Sequence, residues 1–272
     1  MVVFICFNLL NADNSEELFY KNKLDIPKGW GIHTDVGYGS YLVELHSSEI
    51  DSAIDYTVLE YTLGSSYVYG KWMCGLYGKF LLDERNSNMH LAESKKKLGN
   101  KAEIEKNEFA LYGNYTFLES IESQWRLNLV YRKSFLYAEN SYVSFHNYGS
   151  SFKYDTSGLA FSLVYGRIVN KKNNFFINGG VLYTEANIQI DESINNKIQD
   201  TSIDTKSHAL GGKLALGYNY NISKNLIFNL RTDTWLLNFD KLIVKSKVGD
   251  QLPNASLKEQ SFSSYIGITW HY

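Results

Sequence analysis

The chain has 272 residues, a formal charge of −2 and an aromatic share of 15%, with 21 Tyr and 15 Phe. The near-neutral balance excludes the basic surplus that a nucleic-acid binder needs. So many rings are unusual for a soluble enzyme and expected at a membrane interface. Only Pro27 and Pro253 could interrupt a strand, which leaves the long middle free of breakers.

The opening run Val2-Val3-Phe4-Ile5-Cys6-Phe7-Asn8-Leu9-Leu10-Asn11-Ala12 reads as a secretory signal over residues 1–12, although no Lys or Arg precedes it. It is too short for a membrane helix, which needs about 20 apolar residues. A polar lead over 13–28 follows, and the remaining residues 29–272 carry the alternating pattern taken up next. If Cys6 leaves with the signal, Cys74 remains alone and no internal disulfide can form.

Alternation then predicts ten strands, at 30–45, 55–68, 72–82, 105–117, 123–137, 153–168, 174–188, 205–220, 225–239 and 260–272. Their connections alternate in length. Residues 69–71, 118–122, 169–173 and 221–224 make short turns. Residues 46–54, 83–104, 138–152, 189–204 and 240–259 make longer polar stretches. Short turns on one side and long loops on the other are the rhythm of an up-and-down barrel. An aromatic girdle is expected beside the turns at Trp72, Phe117, Trp125, Phe175, Tyr220 and Trp270. A second belt is expected toward the long loops, at Tyr41, Tyr56, Phe80, Phe109, Tyr137, Tyr154 and Tyr183.

Each strand carries two rows. Trp125, Leu127, Leu129 and Tyr131 alternate with Arg126, Asn128, Val130 and Arg132. The second row mixes glycines (Gly37, Gly64, Gly217 and Gly267 among them) with charges of both signs. Those charges are Glu60, Lys79, Glu108, Arg126, Arg132, Lys213, Arg231 and Asp233. A row of that kind suits a narrow lumen, where small residues make room for large ones. The ions either pair across it and plug it, or leave a file of water beside the basic cluster Arg126, Arg132, Lys213 and Arg231.

The last strand places Ile266, Ile268, Trp270 and Tyr272 on one face. This aromatic C-terminal strand resembles that of small bacterial outer-membrane β-barrel proteins, in which it also serves as the assembly signal. The resemblance implies an all-β, up-and-down antiparallel transmembrane barrel of about ten strands in the bacterial outer membrane, with short periplasmic turns and long extracellular loops. Its implied partners are outer-membrane lipids and lipopolysaccharide, the barrel-assembly machinery, and small ions or solutes in the lumen. No nucleic acid and no cofactor are expected.

No motif for hydrolysis, phosphate binding or metal ligation occurs, and the six histidines stand outside any metal-ligand spacing. An enzymatic reading must come from the barrel rim. The omptin outer-membrane proteases also have ten strands, with an aspartate pair facing an Asp–His pair above the membrane. The nearest equivalents here are Asp83 with Glu84 and Asp204 with His208. Asp83 and Glu84 are adjacent rather than alternating, and Asp204 to His208 is wider than the family's spacing. Solvated rim charge accounts for these residues more simply. The expected function is a structural barrel or a narrow porin-like channel with a charged lumen. A rim hydrolase, an adhesin acting through the loops (with Lys95, Lys96, Lys97 and Lys101 in one of them) and an autotransporter-type translocator are the alternatives.

Overall fold

The computed structural model describes residues 28–46, 51–90, 102–120, 122–143, 147–195, 197–198, 203–246 and 251–272. The expected signal, most of the polar lead and the lysine-rich 95–101 stretch lie outside them. The strands are β1 (Gly29–His46), β2 (Asp51–Tyr69), β3 (Trp72–His90), β4 (Glu103–Glu119), β5 (Ser123–Val143), β6 (Asn147–Ile168), β7 (Asn173–Ile194), β8 (Lys197–Ile198), β9 (Ile203–Asn221), β10 (Leu226–Ser246) and β11 (Gln251–His271). β8 is a two-residue piece on the end of β7, so ten strands make the wall. All pair antiparallel with their sequence neighbours, and β1 closes the circle on β11 from Gly31 opposite His271 to His46 opposite Ser256. Toward the turns every strand is paired on both sides, which is the condition for standing in lipid, whereas farther out the β3–β4 ladder ends at Phe80 opposite Asn107 and the β9–β10 ladder lapses between Asn238 and Lys245.

The turns follow local chemistry. Tyr69 pairs with Trp72 across the two-residue link Gly70-Lys71, and Gly70 has φ 57°. A two-residue hairpin needs positive φ at its first position, which glycine adopts without strain.

The wall changes polarity along its axis. Toward the turns the outward row is apolar: Leu159, Phe161 and Leu163 on β6 and Ile266, Ile268 and Trp270 on β11 are each at least 40% exposed. Farther out on the same strands the outward row becomes Lys153, Asp155 and Ser157, or Ser256, Lys258 and Gln260. The inward row there becomes apolar, with Phe152 and Tyr154 on β6 and Ala255 and Leu257 on β11 buried. The first zone is a lipid-facing surface. The second is built as a soluble barrel is, apolar inside and polar outside, and it projects into water.

This inversion corrects two expectations. The strands run 17 to 22 residues, apart from β8. Much of what reads as polar loop is therefore strand with a wet outer row, as at Ser150 to Phe152 and at Ala255 to Glu259. Tyr41, Tyr56 and Tyr154 do not join the upper belt. They are buried inside the barrel at 2–3% exposure, whereas Phe109 and Tyr183 do face outward. The outward belt at that level also includes Tyr38, Tyr131 and Phe262.

Candidate functional site

The lumen has three layers. Farthest from the turns, Tyr41, Val43, Ile54, Tyr56, Val58, Ile188, Leu237, Phe239 and Leu257 form one apolar cluster. Tyr41 and Tyr56 stack with their ring centroids 5.0 Å apart, and the edge of Phe239 meets Tyr154 at 6.1 Å. These rings fill the bore where the wall stands in water.

The second layer is ionic. Glu60 accepts hydrogen bonds from Lys106 Nζ at 2.7 Å, from Tyr41 at 2.7 and 2.8 Å and from Tyr265 at 2.7 Å. Lys79 donates to the Tyr265 hydroxyl at 2.8 Å and stands 3.9 Å from Glu60. Lys106 also lies 3.1 Å from the centre of the Tyr41 ring, a cation–π contact deprived of water. Gly37 makes this possible, because a Cβ there would collide with the Tyr265 ring. Beside it Glu108 accepts from Tyr77 at 3.0 Å and faces Arg132 at 3.8 Å. Glu259 accepts from Trp235 at 3.0 Å and Tyr154 at 2.7 Å, and Arg231 faces Asp233 at 3.3 Å. Four carboxylates (Glu60, Glu108, Asp233, Glu259) and four cations (Lys79, Lys106, Arg132, Arg231) thus share the layer, the first three carboxylates in ion pairs and Glu259 held by the Trp235 and Tyr154 donors, and buried charge is tolerable only when compensated in such ways.

The third layer, toward the turns, is a cavity of about 370 Å³. It runs from Leu182 and Trp235 to Asn174, Asn221 and His271 at the turn end. Arg126 and Lys213 line it, and neither ion-pairs with a carboxylate among the described residues.

The eight lumen charges read from the sequence all point inward, Glu60, Lys79, Glu108, Arg132 and Asp233 buried and Arg126, Lys213 and Arg231 against the cavity. Lys106, Glu259, Tyr41 and Tyr265 belong to the same network and escaped the sequence reading. Their shared parity with Glu108, Ser261 and Gly39 was the available signal. Of the turn-side girdle, Trp72, Phe117, Phe175 and Trp270 are exposed on the outer wall. Trp125 and Tyr220 stand half-buried in the same outward row, and Trp125 lies 4.8 Å from Tyr165. The terminal row Ile266, Ile268, Trp270 and Tyr272 is exposed as well.

The rim candidates do not assemble. Asp204 and His208 lie exposed on the outward row of β9, with the His208 ring 6.1 Å from that of Tyr183. Asp83 pairs with Leu59 and shares its outward side on β3. β3 and β9 stand on opposite walls, with four strands between them in either direction. Outward groups on opposite walls cannot share a substrate. The side chain of Glu84 lies outside the described residues.

No protein-family model and no curated protein matches the chain. Among solved structures it is similar to the outer membrane protease OmpT from Escherichia coli, with a TM-score of 0.66 and 13% identity over 90% of this chain and 97% of that one. The translocator domain of the autotransporter NalP from Neisseria meningitidis gives a TM-score of 0.48 and 10% identity, over 91% and 90% of the two chains. The Pseudomonas putida toluene transporter TodX gives 0.42 and 7%, again over 91% and 90%. The likeness to OmpT is one of fold, since the residues at the rim do not follow it. A closed ten-stranded wall, an apolar outer band and aromatic residues at its margins together give this chain the transmembrane β-barrel fold seen in bacterial outer-membrane proteins.

Proposed function

We propose that the protein is a structural outer-membrane barrel whose bore is sealed to ions, rather than an open pore or a rim enzyme. The observation that carries this reading is the packed outer half of the lumen. Leu237 and Phe239 are 0% exposed and Leu257 1%, and the balanced ion pairs lie directly beneath them. A ten-stranded barrel is only slightly wider than the eight-stranded kind that side chains fill, so rings of this size close it. The outward row Ile266, Ile268, Trp270 and Tyr272, bare on the last strand, suits recognition by the barrel-assembly machinery before it meets lipid.

Single-channel recording on refolded protein tests the seal. Heat-modifiable gel mobility first establishes that the barrel has formed. The expected trace is flat at all voltages. Reproducible unit currents from the wild-type protein would overturn the proposal.

A further inference from the structure

The turn-side cavity does not share the charge balance of the layer above it. Its lining carries five cations (Lys79, Arg126, Arg132, Lys213 and Arg231) against three carboxylates (Asp35, Glu108 and Asp233). The three other than Arg126 and Lys213 have the carboxylate or phenol partners described above. Lys79 takes its carboxylate partner, Glu60, from outside this lining, so Arg126 on β5 and Lys213 on β9 stand against Asp35, the one lining carboxylate outside those pairs, and a net positive charge remains. Buried polar atoms of residues that line the same space also lack partners within the protein. Arg126 Nε, Asn128 Oδ1, Asn174 Oδ1, Asn178 Oδ1 and His271 Nδ1 are among them. Buried polar groups in folded proteins are nearly always hydrogen-bonded, so the wall of this cavity is not fully satisfied by the protein's own groups. The space is open to solvent-sized molecules, because the Arg231 side chain keeps 36% of its surface accessible although it points into the barrel.

The remaining lining is apolar, with Val130, Val164, Phe176 and Ile227 among the named residues. A cavity near 370 Å³ falls in the range of small-molecule sites, which are mostly apolar with a few convergent polar groups. A guanidinium and an ammonium without a carboxylate in ion-pair contact, at low dielectric, attract an anion, and the asparagine amides supply both donors and acceptors. Entry from the loop side is blocked by the apolar cluster, and the cavity reaches Asn174, Asn221 and His271 beside the turns.

We propose that this cavity is a binding site, entered from the short-turn side, for a small organic anion carrying a short apolar tail. The anion is held by Arg126 and Lys213, and its tail lies against Val130, Val164 and Ile227. Binding does not depend on whether the barrel conducts, since it is read without a current.

The test is isothermal titration of the refolded barrel in micelles, corrected with protein-free micelles, using butyrate and butyl phosphate as probes and 1-butanol and butylammonium as controls. Saturable binding of either anion is expected, with both controls at least tenfold weaker, and the preferred anion identifies the head group. Arg126→Gln should weaken that binding at least tenfold while the variant keeps its heat-modifiable mobility. If it does not fold, Lys213→Gln reads the same contact from another strand. The proposal is overturned if neither anion saturates, if 1-butanol binds as tightly as the preferred anion, or if each variant that folds binds that anion as the wild type does.

Discussion

The half of the barrel beside the short turns and the half beyond the Glu60 layer are built from the same ten strands with opposite polarity. Beside the turns, Phe161 and Leu163 face out and Ser162 and Asn178 face in. Beyond the ionic layer, Lys153 and Asp155 take the outward row while Tyr154 and Ile188 are buried. The strand period is the same in both halves, and the solvent around each half decides which row must be apolar. Lipid outside permits a polar, cavity-bearing interior. Water outside demands an apolar core, and that core closes the bore. The Glu60 layer lies where the two regimes meet, and it is there that buried charge is concentrated.

The comparison is most sharply broken at Glu60 itself. Glu60→Ala removes the acceptor of Lys106, Tyr41 and Tyr265 and strands two ammonium groups at 5–7% residue exposure. Breaking a buried pair from one side costs about 3–5 kcal/mol. Equilibrium urea unfolding in lipid vesicles should show that loss. The double variant with Lys106→Met should recover part of it, since one of the two stranded cations is gone. A midpoint unchanged in Glu60→Ala would mean that the layer is hydrated and does not seal the lumen.

The outer surface gives the next largest effect. Leu163→Arg puts a charge in the middle of the lipid-facing row of β6 and should cost about 2–4 kcal/mol. Asn187→Arg, in the outward row of β7 beyond the ionic layer, should cost close to nothing, because Asn187 is already exposed to water. Paired unfolding curves check both. Equal costs would erase the membrane boundary drawn from the polarity inversion.

Much of this architecture can be read in the sequence because alternation survives every tertiary detail. Ten strands follow from parity and turn spacing, the row of Glu60, Arg132 and Lys213 is assigned inward by its mixture of glycines and charges, and the closing pair β1 with β11 is seen only in the structure. The inversion was harder to read. Ser150, Ser151, Ser256 and Lys258 have the composition of a loop, and they conceal a strand unless Phe152 and Leu257 beside them are counted by parity. Height along the strand puts Tyr41 and Tyr56 with the lipid belt, but parity puts Tyr41 with Gly37 and Gly39 in the inward row. The partners of Glu60 are another matter. Lys106 is 46 residues away and lies two strands over, so the contact depends on how the strands are staggered around the barrel. No local pattern encodes that stagger. The rim candidates Asp204 and His208 do share a face, as their spacing requires, but it is the outward one.

The smallest effect belongs to the exposed end of the polar scale. Arg167 meets Glu122 at 2.7 Å beside the turn between β5 and β4, a shorter contact than Arg132 with Glu108. Distance alone would rank it higher. Yet the two side chains keep 43% and 48% of their surface in solvent, so water and salt screen the pair. The turn has backbone support besides, with Ile168 N donating to Glu122 O at 2.7 Å and Ser120 N to Ser123 O at 2.8 Å. Arg167→Ala should therefore cost no more than about 1 kcal/mol at low salt. That difference should shrink further at about 1 M salt, where the screening length falls to roughly 3 Å. Urea curves at the two salt concentrations measure both. A salt-independent loss as large as that of Glu60→Ala would show that desolvation does not separate the sealed ionic layer from the exposed turns, and the contrast between them would fail.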